Sequence, residues 1–123
     1  MNKHKKLLIL ELILLLIVLI TFQANSNELP LPTSLKVTVL DELGNPLEGA
    51  TVKLYKTKED YFNSENEVTT GTTNKKGIVT LKKLEPVSYY IDARIDDKSN
   101  DGMGAQTSVL QEGRINAVNT VIE

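Results

Sequence analysis

The stretch Val37–Tyr55, VTVLDELGNPLEGATVKLY, joins two runs in which apolar and polar residues alternate. An alternation with a period of two is typical of a β-strand with one buried face. The segment between the runs carries two glycines and a proline, which permit positive φ and fix φ respectively, so it predicts a turn. When the alternation is extended to the residues that flank these runs, the predicted core positions are Leu35, Val37, Val39, Val52 and Leu54. The predicted outward positions include Thr51, Lys53 and Tyr55.

Three further segments carry a strand signal: GIVTLKKL (77–84), SYYIDARI (88–95) and RINAVNTVIE (114–123). In the second of these, Tyr89, Ile91, Ala93 and Ile95 are predicted to face the core, and Ser88, Tyr90, Asp92 and Arg94 to face outward. The third is apolar on both faces, which favours a strand covered on both sides. Since no window of 10 or more residues after the leader shows a helical period, we expect residues 34–123 to form an all-β Greek-key sandwich of about seven strands.

The N-terminus has the composition of an export signal. Three lysines in the first six residues precede the apolar run LLILELILLLIVLITF (7–22), and the small residues Ala24 and Ser26 suit a cut before Asn27. The run is shorter than the ~20 residues of a usual membrane span and contains Glu11. We therefore predict a signal peptide over residues 1–26, with an uncleaved membrane anchor as the alternative, and an extended linker over residues 27–33.

Either alternative predicts the same location for the rest of the chain. The lysines before the apolar run keep the N-terminus in the cytoplasm, so the domain lies outside it: periplasmic, on the cell surface or secreted. Contact with a membrane is expected only through residues 7–22, if they are not removed.

Composition excludes several functional classes. From Asn27 onward, 11 basic and 15 acidic side chains give a net charge of −4, so we expect no nucleic-acid partner. The chain has no cysteine, and its one histidine, His4, lies in the leader, so the usual catalytic base and the soft nucleophile are both missing from the domain. A carboxylate pair of Glu85 and Asp92 is the remaining candidate, but Asp92 is predicted to lie exposed beside Arg94. We expect no catalysis and no cofactor.

The segments VTVLDELGNPLEGATVKLY, TGTTNKKGIVTLKKLEP and YYIDAR resemble the carboxypeptidase regulatory-like domain, a transthyretin-like (prealbumin-like) β-sandwich of bacterial exported proteins. The resemblance covers about Leu35 to Ile95 and rests on Asp41, Gly44, Pro46-Leu47, Gly49-Ala50, Val52, Thr73-Asn74 and Gly77. The sequence Glu85-Pro86-Val87-Ser88 stands where the family usually has a Pro-Gly turn. The family implies a fold and a non-catalytic accessory role, and it implies no ligand.

The pattern also resembles the collagen-adhesin B-type domains, some of which form a Lys–Asn isopeptide crosslink. That chemistry requires a buried lysine on the first strand, two positions before Asp41. Val39 occupies this position, and the nearest lysine, Lys36, is predicted to point outward. We therefore expect no such crosslink.

The stretch DDKSNDG (96–102) contains one weak candidate for a metal site. Asp97, Ser99 and Asp101, followed by Gly102, match the first six positions of a calcium loop. The twelfth position, which supplies a bidentate glutamate in such loops, is Ser108. We interpret the stretch as a turn rich in turn-forming residues and assign no metal, with a calcium-stabilised domain as an alternative.

The remaining candidates are binding residues. Tyr61 and Phe62 lie in the middle of the polar segment 56–67, where they either fold back to cap the core or anchor a partner. Tyr90 is a second candidate contact, with cross-strand packing as its alternative. We expect a binding or structural module at the bacterial cell envelope or surface whose partner is an envelope or surface protein, or alternatively a carbohydrate or cell-wall module acting through exposed tyrosines.

Overall fold

The computed structural model describes residues 2–24, 29–102 and 106–123. The chain divides into two compact units, Met1–Pro30 and Leu31–Glu123. The first contains the helix α1 (Lys3–Ala24), and no helix in the described ranges has the length and apolar character required to cross a membrane. The predicted cleavage site and the start of the predicted linker lie outside the described residues.

The second unit is a sandwich of two β-sheets. Its elements are β1 (Ser34–Leu40), β2 (Thr51–Tyr55), α2 (Lys58–Asn63), β3 (Thr69–Thr72), β4 (Ile78–Leu81), β5 (Tyr90–Ile95), β6 (Lys98–Ser99) and β7 (Ile115–Val121). One sheet has the strand order β4-β1-β7 and the other β3-β2-β5-β6. All pairings are antiparallel except that of β1 with β7, which is parallel. The expected β-sandwich of about seven strands is confirmed, but the unit is mostly β and not all-β, because the short helix α2 lies between β2 and β3.

The core lies between the sheets and is built by the predicted strand faces. Because alternate side chains of a strand point to opposite faces, a period-two pattern sends one apolar set inward. The fully or almost fully buried side chains include Leu35, Val37, Val39, Val52, Leu54, Leu81, Tyr89, Ile91 and Ala93. Val79 and Ile95 pack half-buried at the margin of this cluster.

The residues of the family-like pattern meet at one end of the sandwich. The Asp41 carboxylate accepts hydrogen bonds from the backbone N–H groups of Asn45 (2.8 Å) and Leu43 (3.0 Å), and the Asn45 hydrogen bond is the main reason that the pKa of Asp41 is lowered. Gly77 has a φ of 73°, and a Cβ at this position would lie 2.8 Å from Pro46 Cβ and 2.9 Å from Val39 O. Glycine is therefore required here both for its φ and for the close approach of the backbone.

The end of the chain connects the two sheets. After β7, the backbone N–H and C=O of Glu123 exchange hydrogen bonds with Ser99 of β6 (3.1 and 3.2 Å). Asn100, which is fully buried, accepts a hydrogen bond from Ala93 N (3.0 Å) and donates to Ile91 O (2.9 Å). It also donates to the Thr120 hydroxyl of β7 (3.2 Å), so one side chain ties β5 to the opposite sheet.

The structure corrects two details of the predicted strands. The strands β3 and β6 were not predicted, since TTGT has no large apolar residue and β6 has only two residues. β7 was expected to be covered on both sides, but it is an edge strand, and Ile115, Ala117 and Asn119 on its outer face are exposed. Apolar residues on both faces of β7 therefore did not indicate that both of its faces are buried.

Candidate functional site

The candidate site lies on the outer face of the four-stranded sheet, where α2 packs over β2 and β5. Local sequence explains why this six-residue segment is helical. The Thr57 hydroxyl caps the helix by accepting a hydrogen bond from Asp60 N (3.1 Å), and Glu59 and Asp60 place negative charge in the first turn, where the helix dipole favours it. Ser64 ends the helix in the left-handed conformation (φ 52°).

α2 brings together the three aromatic residues that the sequence singled out. The ring of Tyr61 lies 5.5 Å from that of Phe62 and 5.9 Å from that of Tyr90 on β5, measured between centroids. Tyr61 and Tyr90 are half-buried, whereas Phe62 is 68% exposed. Tyr61 folds back, but onto the outer face of the four-stranded sheet and not over the core between the sheets, as the first alternative expected. Phe62 remains directed toward solvent, with the Lys58 ammonium 5.7 Å from its ring centroid.

A fourth aromatic residue, Tyr55, supports the cluster from below and corrects a prediction. It was expected to face solvent, and it does lie on the outer face of the sheet, but only 1% of it is exposed. Tyr61 of α2 packs edge-on against it, with 6.0 Å between ring centroids. Burial raises the pKa of Tyr55, and its hydroxyl has no hydrogen-bond partner of normal geometry among the described residues.

A charged network borders the aromatic cluster. Arg94 pairs with Asp92 through Nε (3.0 Å) and with Asp101 through Nη2 (3.2 Å), and Asp101 also accepts a hydrogen bond from the Tyr61 hydroxyl (3.2 Å). The pKa of Arg94 is raised mainly by the hydrogen bond that Arg94 donates to Asp92. The pKa of Tyr61 is raised first by burial and then by the nearby negative charge of Asp101. Asp92 was expected to be exposed but is 8% exposed, since its charge is balanced by Arg94.

These side chains line a groove of about 630 Å³, open to solvent. Its lining includes the predicted contact residues Tyr61, Phe62 and Tyr90, with Lys58, Ser64, Arg94, Asp101, Gly102 and Gln106. Its lining thus combines aromatic rings with charged and amide side chains. This arrangement suits an apolar or aromatic group that also carries hydrogen-bonding atoms. We call it the α2 groove.

The stretch 96–102 is divided among different structural roles. Asp96 and Asp97 form the two-residue turn between β5 and β6, with Asp96 at a φ of 53°. The Ser99 hydroxyl accepts a hydrogen bond from Asp101 N (3.3 Å), and the Asp101 carboxylate is held by Arg94. Within the described ranges, no group of three or more acidic, histidine or cysteine side chains converges as metal ligands would.

The imagined catalytic pair of Glu85 and Asp92 serves two separate ion pairs. Glu85 binds the Lys56 ammonium at 2.8 Å, whereas Asp92 binds Arg94. Each carboxylate thus has a cation of its own, and no hydrogen bond within the described ranges joins the two carboxylates.

The matched family model agrees with this architecture. The model "SpaA: Prealbumin-like fold domain" matches residues 33–92, just under half of the chain, from β1 into β5. The sandwich has a prealbumin-like fold. The comparison with curated proteins gives no match.

Parts of several solved structures have a similar fold. The Bacillus anthracis TIE protein is 20% identical, with a TM-score of 0.53 over 75% of this chain and 17% of that chain. The Streptococcal ancillary pilin is 18% identical, with a TM-score of 0.54 over 75% of this chain and 32% of that chain. The shaft pilin SpaA from Lactobacillus rhamnosus GG is 16% identical, with a TM-score of 0.50 over 74% of this chain and 49% of that chain. The prealbumin-like chain thus spans less than half the length of each, and at these identities the likeness concerns the fold.

The aromatic residues of the groove were predicted from the sequence as contact residues, whereas Lys58, Arg94 and Gln106 of its lining were not. A signal for α2 was available, because Thr57 and Asp60 have the spacing of a capping box. With that helix in place, Tyr61 and Phe62 fall on successive positions of one turn above β5.

Proposed function

We propose that this chain is a non-catalytic exported module that binds a protein partner at the bacterial cell envelope or surface. Within that proposal, residues 1–26 act as an export signal or anchor, residues 27–33 as a linker and residues 34–123 as the binding domain. We also propose that the domain is a carboxypeptidase regulatory-like domain, on the basis of the sequence pattern it resembles.

The observation that carries the proposal is the exposure of Phe62 above a fixed aromatic base. An aromatic ring that is 68% exposed gains free energy when a partner covers it, and aromatic residues dominate the binding energy of many interfaces. Its neighbours Tyr61 and Tyr90 are held by the sheet and by Asp101, so binding need not order them.

The location rests on the sequence and on fold likeness. The basic and apolar leader is typical of an exported chain. Two of the similar structures are an ancillary pilin and a shaft pilin, so prealbumin-like sandwiches serve as parts of pili. An envelope or surface protein is therefore the partner class that we propose.

Capture from a bacterial envelope extract tests the proposal. The full chain, immobilised in mild detergent, is compared with Phe62→Ser and with the control Leu43→Ser, which removes an apolar side chain that is 87% exposed on the β1–β2 turn. Loss of a central aromatic anchor costs about 2 kcal/mol or more, so we expect Phe62→Ser to weaken capture of one dominant protein by about 30-fold. Equal capture by the wild type and both variants would contradict the proposal.

Carbohydrate binding is the second candidate, because Asp101, Arg94 and Gln106 place planar polar groups beside the tyrosine rings. In this case glycan binding would be measurable with the isolated chain and lost in Tyr90→Ala. Binding of no glycan, or glycan binding that Tyr90→Ala leaves unchanged, would remove this candidate.

A further inference from the structure

The outer edge of β7 is a long row of unused backbone hydrogen-bonding groups. The ladder between β1 and β7 uses the even-numbered residues of β7, since Ser34 N donates to Arg114 O (3.0 Å) and Ile122 N donates to Leu40 O (3.0 Å). The odd-numbered residues therefore point their N–H and C=O groups away from β1. Glu123 confirms this alternation, because its outward groups bind Ser99.

Four residues of β7 thus present unpaired groups along one edge: Ile115, Ala117, Asn119 and Val121. Among the described residues, neither their backbone N–H groups nor their carbonyls have a hydrogen-bond partner. Such an edge is a template for strand addition, and proteins usually block it with a charge, a proline, a bulge or a very short strand.

β7 has none of these protections, unlike the other edges. In the described part of the sandwich the other edge strands are β3, β4 and β6, with four, four and two residues, whereas β7 has seven. Its sequence INAVNTV contains no charge and no proline, and Ile115 at its start is 70% exposed.

We propose that β7 pairs antiparallel with β7 of a second copy of this chain, joining two three-stranded sheets into one six-stranded sheet. The register follows from the free groups. In an antiparallel pair, only a two-fold axis at Val118 lets the outward N–H and C=O groups of all four residues pair with outward groups of the second copy. Ile115 then faces Val121 of the second copy, and Ala117 faces its Asn119.

The side chains fit this register. The exposed Ile115 packs against the half-buried Val121 of the second copy, which makes an apolar cross-strand pair at each end of the interface. Ala117 is small enough to lie beside an asparagine, and no charged residue lies within the paired strands. In this register Gly113 would lie opposite Glu123 of the second copy, whose outward groups are already bound to Ser99, and the left-handed conformation of Gly113 (φ 68°) interrupts the extended backbone at that position.

Disulfide crosslinking of the full chain tests the pairing, because the chain has no cysteine of its own. Val118→Cys places two thiols opposite each other at the two-fold axis, at a non-hydrogen-bonded position where Cα atoms lie about 4.5 Å apart, within the range of a disulfide. The matched control is Val79→Cys, which is also a half-buried valine on an edge strand of the same sheet. Association through α1 affects both variants alike.

We expect Val118→Cys to form the disulfide-linked dimer about tenfold faster than Val79→Cys under mild oxidation, which corresponds to about 1.4 kcal/mol of favourable pairing. Adding Ala117→Pro removes an outward N–H without touching the β1 ladder, and it should return the rate to that of the control. Ile115→Lys, which changes only an exposed side chain, should also return the crosslinking rate to that of the control. It replaces the proline variant if Ala117→Pro unfolds at too low a temperature.

Three results would overturn the pairing: equal rates for the two cysteine variants, no crosslinked dimer, or a dimer that both disrupting substitutions leave unchanged. A strand from another protein on this edge would give the second result. The proposal does not depend on the α2 groove, so each can fail without the other.

Discussion

Replacing Asn100 with alanine is expected to destabilise the sandwich more than any other change of one polar side chain described above. Asn100 is fully buried and makes three hydrogen bonds, to Ala93 N, Ile91 O and the Thr120 hydroxyl. The first two are backbone groups of the central strand β5, and Ala93 and Ile91 are themselves buried. Alanine leaves both groups without a partner, in a place that water does not reach.

The cost follows from the two orphaned groups. A buried donor or acceptor that loses its partner costs about 1–3 kcal/mol, so the pair costs about 3 kcal/mol. For a domain of this size, 1 kcal/mol changes Tm by about 4–8 °C, so we expect Tm to fall by at least about 12 °C.

The assay is thermal and urea unfolding of the full chain, followed by near-UV circular dichroism of tyrosine. All four tyrosines lie in the sandwich and the chain has no tryptophan, so the signal reports this unit and not α1. The control is Asn116→Ala. Asn116 also makes several hydrogen bonds, but mostly at exposed positions where water replaces the lost partner, so we expect a loss below about 1 kcal/mol.

Two results would be incompatible with the loss of two buried hydrogen bonds. One is an equal loss of stability in both asparagine variants, and the other is a Tm of Asn100→Ala within about 4 °C of the wild type, a difference smaller than the cost of one orphaned group. An unchanged urea m-value accompanies the expected loss, since the substitution does not alter the surface exposed on unfolding.

Three further predictions concern glycine, tyrosine and calcium. Gly77→Ala should lower the free energy of unfolding by at least about 2 kcal/mol, because the position combines a positive φ with backbone atoms within 2.9 Å of the new Cβ. Gly44→Ala should cost about 1 kcal/mol, because the position has a positive φ but open space around the new Cβ. Urea unfolding measures both losses, and equal losses would contradict the packing argument. Tyr55→Phe should leave stability unchanged or raise it, because it removes a buried hydroxyl that has no hydrogen-bond partner of normal geometry among the described residues. Tyr89→Phe should cost about 1 kcal/mol, because the Tyr89 hydroxyl accepts a hydrogen bond from Glu85 N (2.9 Å). The reverse order of Tm values would be incompatible with these hydrogen bonds. Calcium at millimolar concentration should leave Tm unchanged, because Asp101, one of the candidate ligands, already pairs with Arg94. A Tm that rises with calcium and falls with chelator would support the calcium-stabilised alternative.

The sequence predicted the core of this fold because strand faces follow a short period. Leu35, Val37 and Val39 alternate over only five residues, and that is enough to assign the buried face of β1. The parallel pairing of β1 with β7 has no such local signal, since it joins residues about 80 positions apart.

The site was predictable in its residues but not in its geometry. The six residues of α2 are too few to display a helical period, and the capping spacing of Thr57 and Asp60 does not by itself indicate that a helix covers the outer face of the sheet. Without that cover, Tyr55 was predicted to be exposed, and with it Tyr55 becomes a buried support for Tyr61. The burial of Asp92 has a similar origin, because it depends on Arg94 two residues further along the same strand.

The most direct test of the central claim, that the α2 groove binds an envelope or surface protein, is photocrosslinking in living cells. A photoreactive phenylalanine derivative replaces Phe62 in one strain and Leu43, exposed on the β1–β2 turn, in another, and captured proteins are identified by mass spectrometry. We expect one dominant envelope or surface protein to be captured from position 62 and to be absent from position 43. The same proteins from both positions, or crosslinks only to other copies of the chain, would contradict it.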